Sequence, residues 1–591
     1  MGPLRPHYQI RNRFAILCSP GRYMTLWRSV WLAAYVVIGI GHSACTREQA
    51  STTANRLVAT FRREPKSFNR FVSPNAPENL LTLLTQATLV RVNRVTGDLE
   101  PRLAEHWTSS SDGSMYTLTL RDGLRFSDGH PFSATDVVFT FRALYDARAA
   151  SPMASSFKIG GQPIRVQASG DRTVVLTFPG PYGPGLRILD SLPILPAHKL
   201  EASLAEGTFG DAWNVRTLPS EVVGLGPFQL AAYVPGQHLQ FTRNPRFWRV
   251  DEQGHPLPRV DEIDVQIVLE RNAEMLRLES GEADLTNDFA RAEDLAALRR
   301  EENLGHLRLV EAGVDINPSH LWFNLAKGAP HAKDRPWLQS EDLRKAISLA
   351  VNRQKIVDTV YLGAAVPIHG PITPGHKEWY VPDLPNGGHD VGRARALLSS
   401  IGLVDRNGDG ILDDSSGRSA GFSILTQKGD TIRERTALVI QDDLKQVGLK
   451  VEIVPTDANS IVAKWDNGDY DAIYFGIVSD TIDPARNLEF WMSSGDFHFW
   501  NPGQVKPATD WEAHIDDVMR RQASSLDQAE RIRLFGEAQR TLADHLPILY
   551  FAAAKATVAM SARVMGSTPS VLQPPVLWNS EVLSISPPPR R

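Results

Sequence analysis

Residues 101–145 most constrain the fold, because they combine the signals of strands, turns and a capped helix within one short run. Residues 116–120 alternate apolar and polar side chains, which is the period of a half-buried strand. An Asp-Gly pair follows, apolar residues resume the alternation over 124–126, and a second Asp-Gly pair closes it. This part of the run predicts a β-hairpin.

The end of the same run predicts a helix with a defined start. Ser133 stands three residues before Asp136, so its hydroxyl can cap the helix while the carboxylate faces the positive helix start. The apolar side of this helix would be formed by Val137, Val138, Phe141, Leu144 and Tyr145. An ordinary hairpin and helix would fit this periodicity equally well.

Later segments mix helices and strands in the same way. Apolar residues recur at helical spacing over 343–351 and 532–542. A third stripe over 437–447 is stopped by Gly448, and 449–453 then alternate as a strand. Because helices and strands mix throughout, the chain is predicted to consist of α/β or α+β lobes rather than a helical bundle or a β-sandwich.

Composition indicates a large exported protein. With 591 residues and 42% hydrophobic content, the chain can bury several cores. The net charge is -4, and residues 1–45 contain five arginines and no acidic residue. The rest of the chain is therefore more acidic still, at -9. A nucleic-acid-binding protein is expected to have the opposite charge, so no nucleic-acid partner is predicted.

The N-terminus is typical of an export signal. Two arginines precede an apolar run over 30–41, which is too short to span a bilayer comfortably. Cys45 ends a short stretch that resembles a bacterial lipobox, with His42 at a position where an aliphatic residue is usual. We expect lipidation at Cys45; ordinary signal cleavage and a retained anchor are the alternatives. Because Cys18 and Cys45 are the only cysteines, the exported part has no internal disulfide.

An acidic loop resembles the opening of an EF-hand. Oxygen ligands stand at positions one, three, five and nine, namely Asp405, Asn407, Asp409 and Asp413. Position twelve should be a bidentate glutamate but is Ser416, and a strand is predicted to follow. The alternatives are a calcium site and a solvated acidic turn, and the turn is the preferred interpretation. No other cofactor is predicted.

The motifs of common enzyme classes are missing from the sequence. It contains no Gly-x-Ser-x-Gly, no His-Glu-x-x-His, no Cys-x-x-Cys and no phosphate-binding loop with Gly-Lys-Ser/Thr. Counting carboxylates does not exclude a glycosidase, since acidic pairs are abundant in any chain of this size. The chain is predicted not to be an enzyme, with a secreted hydrolase as the alternative.

Several motifs in a fixed order resemble one protein family. After residues 101–145 they are 224–228 (GLGPF), 243–248 (RNPRFW), 281–284 (GEAD), 321–324 (LWFN), 343–347 (LRKAI), 352–356 (NRQKI), 370–374 (GPITP) and 480–484 (DTIDP). Together they resemble the extracytoplasmic solute-binding proteins of family 5, which serve peptide- and nickel-type ABC importers. The likeness covers roughly residues 55–560; no single motif is specific, but their order is.

The resemblance implies a two-lobed periplasmic-binding-protein fold of the α/β class, with a hinge and an extra α+β subdomain in the first lobe. The implied parts are a leader over 1–45, a first lobe over 46–92, 219–315 and 550–591, a subdomain over 93–218 and a second lobe over 316–549. A ligand would be enclosed between the lobes when the hinge closes.

The resemblance also implies ligand-binding residues. Asp480 would pair with the α-amino group of a peptide, because a buried ammonium without a partner is very costly. Further candidates are Asn69, Asn324, Trp491, Phe497 and Trp500, although aromatic residues this dense are more often part of a core. Asp483 is predicted to be a turn residue.

The expected function is therefore that of a monomeric receptor that is periplasmic or on the cell surface and anchored by lipid. It would deliver a short peptide to a membrane-embedded ABC permease. A metal chelate, an oligosaccharide or an opine would be an alternative ligand, and a sensory role without transport is a further alternative.

Overall fold

The computed structural model describes residues 55–476 and 481–586. Cys45, the leader and Asp480 lie outside the described residues. Within the described part, no helix has both the length and the apolar character needed to cross a membrane.

The first sheet has eight strands. They are β1 (Arg56–Phe61), β10 (Phe228–Val234), β11 (His238–Arg243), β12 (Glu262–Ile267), β13 (Leu285–Thr286), β14 (Leu307–Val314), β16 (Ala365–Pro367) and β21 (Ala552–Ser561). Their order is β10-β11-β12-β1-β13-β21-β14, and β16 also pairs with β21. The central strands β12, β1 and β13 are parallel, whereas β21 runs antiparallel to β13 and β14.

The second sheet has five strands in the order β18-β17-β19-β15-β20. They are β15 (His320–Phe323), β17 (Gly421–Gln427), β18 (Lys450–Thr456), β19 (Ala472–Phe475) and β20 (Ile548–Tyr550). β17 is parallel to both β18 and β19, so three carboxyl ends lie at one edge of this sheet. The strands predicted at 449–453 and after the acidic loop are thus confirmed as β18 and β17.

A smaller four-stranded antiparallel sheet has the order β4-β5-β9-β8. Its strands are β4 (Ala104–Ser109), β5 (Met115–Leu120), β8 (Arg165–Ala168) and β9 (Thr173–Thr177). Three two-stranded ribbons accompany the sheets: β2 (Val90–Val92) with β3 (Leu99–Pro101), β6 (Lys158–Ile159) with β7 (Gln162–Pro163), and β22 (Val564–Met565) with β23 (Ser584–Ile585).

The α-helices of the described residues cover the sheets. They are α1 (Ala76–Thr85), α2 (Ala134–Tyr145), α3 (Ala197–Glu206), α4 (Arg271–Ser280), α5 (Leu295–Asn303), α6 (Glu341–Ala350), α7 (Arg353–Thr359), α8 (Val391–Ser400), α9 (Thr431–Gln446), α10 (Ala458–Asp466), α11 (Leu488–Trp491), α12 (Asp510–Ser524) and α13 (Gln528–His545). The three predicted helical stripes correspond to α6, α9 and α13.

The signature over 101–145 folds largely as predicted. β5 alternates buried and exposed residues, and Ser133 caps α2 in a capping box with Asp136, whose carboxylate accepts the Ser133 backbone N–H at 2.9 Å. The predicted hairpin partner was wrong, because β5 pairs with β4 and β9 instead. Residues 124–132 form a tight turn with a single bridge between Arg125 and Pro131.

Apolar side chains of the two large sheets form separate cores. One extends from the first sheet through α1 to the four-stranded sheet and α2, and includes Leu57, Leu84, Leu118 and Phe126. Two further clusters lie on the second sheet, one with Leu321 and Ile440, the other rich in aromatic residues. The lobe boundaries given above stay a prediction, and β16, which lies within the predicted second lobe, joins the first sheet through β21.

Candidate functional site

Besides the connections to and from β16, the chain passes between the two large sheets at two adjacent places. The first crossing, residues 315–319, connects β14 to β15, and the second is Phe551 between β20 and β21. The backbone N–H of Asp315 donates to the carbonyl of Ala554 at 2.8 Å, which ties the first crossing to β21. Burial raises the pKa of Asp315, opposed by a backbone N–H from Asn317. Two short connections side by side can act as a hinge between rigid sheets.

The carboxyl ends of β1, β12 and β13 form the first wall of the site. Directly after β1, Arg62 donates to the carboxylate of Asp288 at 2.9 Å and lies 3.4 Å from the carboxylate of Glu274. Glu274 is 1% exposed and also accepts a hydrogen bond from the Thr60 hydroxyl at 2.8 Å. Ligands of α/β proteins bind outside the carboxyl ends of parallel strands, so this edge is where binding is expected.

The charges of the first wall are mutually compensated. Burial raises the pKa of Glu274, opposed by the Thr60 hydrogen bond and by Arg271, whose guanidinium lies 3.2 Å from it. Burial would lower the pKa of Arg62, but Asp288 and Glu274 outweigh it and raise that pKa. The wall is thus a fixed network of ion pairs.

The carboxyl ends of β17 and β19 form the second wall, and Arg433 is its central residue. Its guanidinium donates to the Ser319 hydroxyl at 3.0 Å and to the Gly476 carbonyl at 3.4 Å. It lies over the ring of Phe475 at 4.5 Å and is 3.6 Å from the carboxylate of Asp430. Arg433 therefore connects the first crossing to the end of β19.

The two walls approach each other at a small apolar cluster beside the hinge. Its buried members are Ile316, Ala556 and Val571. Phe289, which follows β13, and Ile482, which follows the β19 loop, both pack against this cluster. Side chains from the binding edges of both sheets thus share one small core.

Two polar contacts also join the parts of the chain. The Arg486 guanidinium donates to the Ser191 hydroxyl at 3.0 Å. The Lys377 ammonium donates to the carbonyls of Arg94 and Val95. Lys377 has φ +56° and ψ −121°, a strained conformation for a residue with a side chain. These contacts join residues 94, 95 and 191 to residues 377 and 486.

Comparison with known proteins identifies the family of this chain. Residues 98–499 match the family model described as bacterial extracellular solute-binding proteins, family 5 Middle. The chain belongs to this family. Membership confirms the resemblance inferred from the motifs and the extracytoplasmic location that the family name describes.

Relatives of this family align over most of the chain. A probable ABC transporter-binding protein of Deinococcus radiodurans is 26% identical over 525 residues, covering 85% of this chain and 87% of the relative. The oligopeptide-binding protein AppA of Bacillus subtilis is 24% identical over 550 residues, covering 88% of this chain and 92% of the relative.

Solved structures of the family confirm the predicted fold class. AppA of Bacillus subtilis in complex with a nonapeptide superposes with a TM-score of 0.68 at 22% identity, covering 90% of this chain and 99% of AppA. NikA of Brucella suis in complex with Fe(III)-EDTA superposes with a TM-score of 0.74 at 21% identity, covering 90% of this chain and all of NikA. The fold is the two-lobed periplasmic-binding-protein fold.

The aromatic candidates of the second lobe lie mostly in its core. Trp491 and Trp500 are each 2% exposed; Trp491 packs edge-on against Phe535, and the Trp500 indole donates to Glu512 at 3.0 Å. Phe497 differs, because it is 39% exposed and stacks over Trp465. Of the three, Phe497 is therefore the side chain with surface to offer a ligand.

The two asparagine candidates have their amides engaged by the backbone. Asn324 has no exposed surface and donates to the Gly468 carbonyl at 2.8 Å. Asn69 is 1% exposed and accepts the backbone N–H of Phe71 at 3.1 Å. Both side chains hold neighbouring backbone in place, and a role for them in binding stays a prediction.

Side-chain oxygens of the acidic loop accept hydrogen bonds from backbone N–H groups of the same loop. Asp405 accepts the N–H of Gly408 at 2.7 Å, Asn407 accepts that of Asp409 at 2.9 Å, and Asp413 accepts that of Arg406 at 3.2 Å. Among the described residues, no group of three or more acidic, histidine or cysteine side chains is placed to hold a metal ion. Calcium binding here stays a prediction.

Sequence reasoning missed the charged residues of both walls. Arg62 directly follows a strand, and Arg433 lies in the first turn of the helix after β17. The rule that binding residues follow parallel strands could have singled out both. Asp483 was predicted to be a turn residue, and this is confirmed, since its carboxylate accepts the Ala485 N–H at 3.0 Å.

Proposed function

We propose that this chain is an extracytoplasmic receptor that captures a short peptide between its two lobes and delivers it to an ABC importer. The observation that carries this proposal is the meeting of both binding edges, with Phe289 and Ile482 packed on one cluster beside two chain crossings. Peptide as the ligand class is supported by AppA, whose structure contains a nonapeptide.

Capture follows from the hinge. Closing the lobes removes water from the ligand, and a ligand that contacts both walls shifts the protein further towards the closed state. A peptide suits this requirement because it offers charges at both ends and hydrogen-bonding groups along its length. The first wall supplies a compensated ion network and the second wall supplies Arg433, so charged and polar ligand groups would find partners on either side.

Asp480 is the proposed partner of the peptide α-amino group. It lies in the chain between Gly476, which Arg433 holds at the second wall, and Ile482, which packs beside the hinge. A carboxylate between these two points can pair with an ammonium that loses its water on closure. Truncating one partner of such a desolvated pair typically costs about 2–5 kcal/mol.

Isothermal titration calorimetry with trialanine tests this pair. Asp480→Asn should weaken binding about 100-fold, and N-acetylation of trialanine should weaken wild-type binding to a similar degree. The matched control is Asp469→Asn, because that side chain is 67% exposed and belongs to the same lobe. Equal affinities for free and acetylated peptide would remove the proposed pair.

A metal chelate is the second candidate ligand, since NikA was solved with Fe(III)-EDTA and superposes well on this chain. Native mass spectrometry of protein purified from its own host discriminates the two. A retained mass with peptide fragmentation supports the proposal, whereas a retained metal, opine or sugar mass assigns another ligand class. The same spectra give the oligomeric state, for which we propose a monomer.

We further propose that the mature chain is a lipoprotein anchored through Cys45. Mass spectrometry of the membrane fraction should find a diacylglycerol-modified N-terminal cysteine, and Cys45→Ser should release the protein from membranes. An unmodified soluble chain that begins beyond Cys45 would contradict the anchor without affecting the receptor proposal.

A further inference from the structure

The four-stranded sheet region touches the second lobe at a contact remote in sequence from the hinge. The backbone N–H of Gly183 donates to the carbonyl of Ala523 at 2.6 Å, where α12 ends. The neighbouring Tyr182 is 5% exposed, and burial raises its pKa. We call this contact, between residues 182–183 and residues 522–526, the latch.

The latch is tightly packed around glycines. A Cβ atom at Gly183 would lie 2.5 Å from the Arg531 Nε and 2.6 Å from the Ser525 carbonyl oxygen. At Gly113, in the turn between β4 and β5, a Cβ atom would lie 2.6 Å from the side chain of Leu526. Two turns of the four-stranded sheet region thus fit closely against the α12–α13 connection.

Arg531 joins the latch to the segment that follows the β19 loop. Its side chain is 2% exposed, and its guanidinium donates to the Asp483 carboxylate at 2.5 Å and to the Gln522 carbonyl at 3.2 Å. It also lies over the ring of Trp379 at 5.0 Å. A buried, charge-assisted and multiply bonded guanidinium has one well-defined position.

Asp483 in turn orders the segment 481–486. Its carboxylate accepts the N–H of Ala485 at 3.0 Å, and its backbone carbonyl accepts that of Arg486. The same segment carries Ile482, which packs beside the hinge, and Arg486, which reaches Ser191. A continuous set of hydrogen bonds therefore runs from the binding segment through Arg531 to the latch.

We propose that Arg531 is a positioning residue that couples the order of segment 481–486 to closure of the latch, so that each stabilises the other. The biological role of this coupling rests on the proposed function, since a receptor needs ligand binding and closure to be linked. The coupling itself is a property of the ligand-free protein. Because the coupling is reciprocal, a change that opens the latch must loosen segment 481–486, and a change that loosens this segment must favour opening of the latch.

The test uses Gly183→Ala, with Gly180→Ala as the matched control. A Cβ atom at Gly183 would push both Arg531 and Ser525 away from Gly183, whereas a Cβ atom at Gly180 would meet nothing within 4 Å. Neither glycine has a positive φ, so backbone strain does not distinguish the two. Thermal unfolding checks that both variants remain folded.

Two measurements on the ligand-free full chain test the latch and its coupling to segment 481–486. Because the only cysteines are Cys18 and Cys45, replacing both with serine permits spin labels at Lys158→Cys in β6 and Ala513→Cys in α12, which are both exposed. Double electron–electron resonance then reports the distance between the two spin labels. Hydrogen–deuterium exchange reports the protection of segment 481–486.

We expect Gly183→Ala to lengthen the distance and to raise exchange of segment 481–486 about fivefold, with Gly180→Ala like wild type. An unchanged distance in Gly183→Ala overturns the latch, and a longer distance with unchanged exchange overturns the coupling. Arg531→Lys, which keeps the charge but replaces the planar fork that bonds Asp483 and Gln522 through separate nitrogens, should raise the same exchange.

Trialanine binding is measured separately on the same variants. If the wild type binds trialanine, Gly183→Ala should bind it about fivefold more weakly, because fewer molecules are in the closed state. If the wild type does not bind it, the peptide proposal fails, while the ligand-free distance and exchange still decide the latch and its coupling.

Discussion

The two walls of the site hold their charges in different ways. In the first wall, Arg62 and Arg271 face the carboxylates of Glu274 and Asp288, so cations and anions compensate one another. In the second wall, Arg433 is bonded mainly to neutral oxygens and has Asp430 only at 3.6 Å. The first wall is thus built as a fixed support, and the second keeps a cation that can respond to a ligand.

Glu274→Gln tests the supporting role of the first wall and should have the largest effect. Removing one member of a buried ion pair leaves its partners uncompensated, which typically costs 3–5 kcal/mol. Because Arg62 is partly exposed, we expect a loss of about 3 kcal/mol in the free energy of unfolding. Urea unfolding measures it, with the exposed Glu282→Gln as control. A loss no larger than that of the control would contradict a supporting network.

Acid should destabilise the region of the second wall before it protonates the carboxylates. His320 begins β15, and burial lowers its pKa to about 4. The unfolded chain, with a histidine pKa of about 6.5, binds the proton first as the pH falls. The stability due to neutral His320 is therefore complete above about pH 6.5 and is lost progressively towards pH 4.

At pH 5 this loss should amount to about 2 kcal/mol relative to pH 7. Urea unfolding at both pH values measures it, and His320→Asn should reduce the pH dependence by that amount. The matched control is the exposed His255→Asn, which should leave the pH dependence as in the wild type. If His320→Asn retains the full dependence, another group must be responsible.

Arg433→Gln should have the smallest effect on stability and a clear effect on binding. Without its guanidinium, Gly476 and Ser319 are no longer held together at the start of the β19 loop. We expect trialanine affinity to fall about tenfold, or about 1.4 kcal/mol. Arg435→Gln, an exposed arginine on the same helix, is the control. Equal trialanine affinities of the two variants would contradict a role of Arg433 in ligand binding.

The sequence was sufficient where a feature is local. The Ser133–Asp136 capping box spans one helical turn, and the alternation of β5 is set by adjacent residues, so both could be predicted. Of the two partners of β5, β4 directly precedes it, whereas β9 is contributed from about 50 residues further along the chain and could not be predicted. The nearby apolar run at 124–126 offered an equally periodic alternative to both.

The site was less predictable for the same reason. Arg531 meets Asp483 across 48 residues, and Arg62 meets Asp288 across 226, separations at which no periodicity operates. Asn324, Trp491 and Trp500 lie near the site in the sequence, yet their side chains are buried among core groups. Proximity along the chain could not give the direction in which a side chain points.

The position of β21 in the first sheet has a consequence for biogenesis. This strand lies between β13 and β14 and pairs with both, yet it begins at Ala552, after nearly all of the second sheet. During synthesis the first sheet therefore lacks an interior strand until the ribosome has almost finished. We expect a nascent chain that ends at Phe551 to remain protease-sensitive, which would keep the polypeptide in the extended form that passage through an export channel requires.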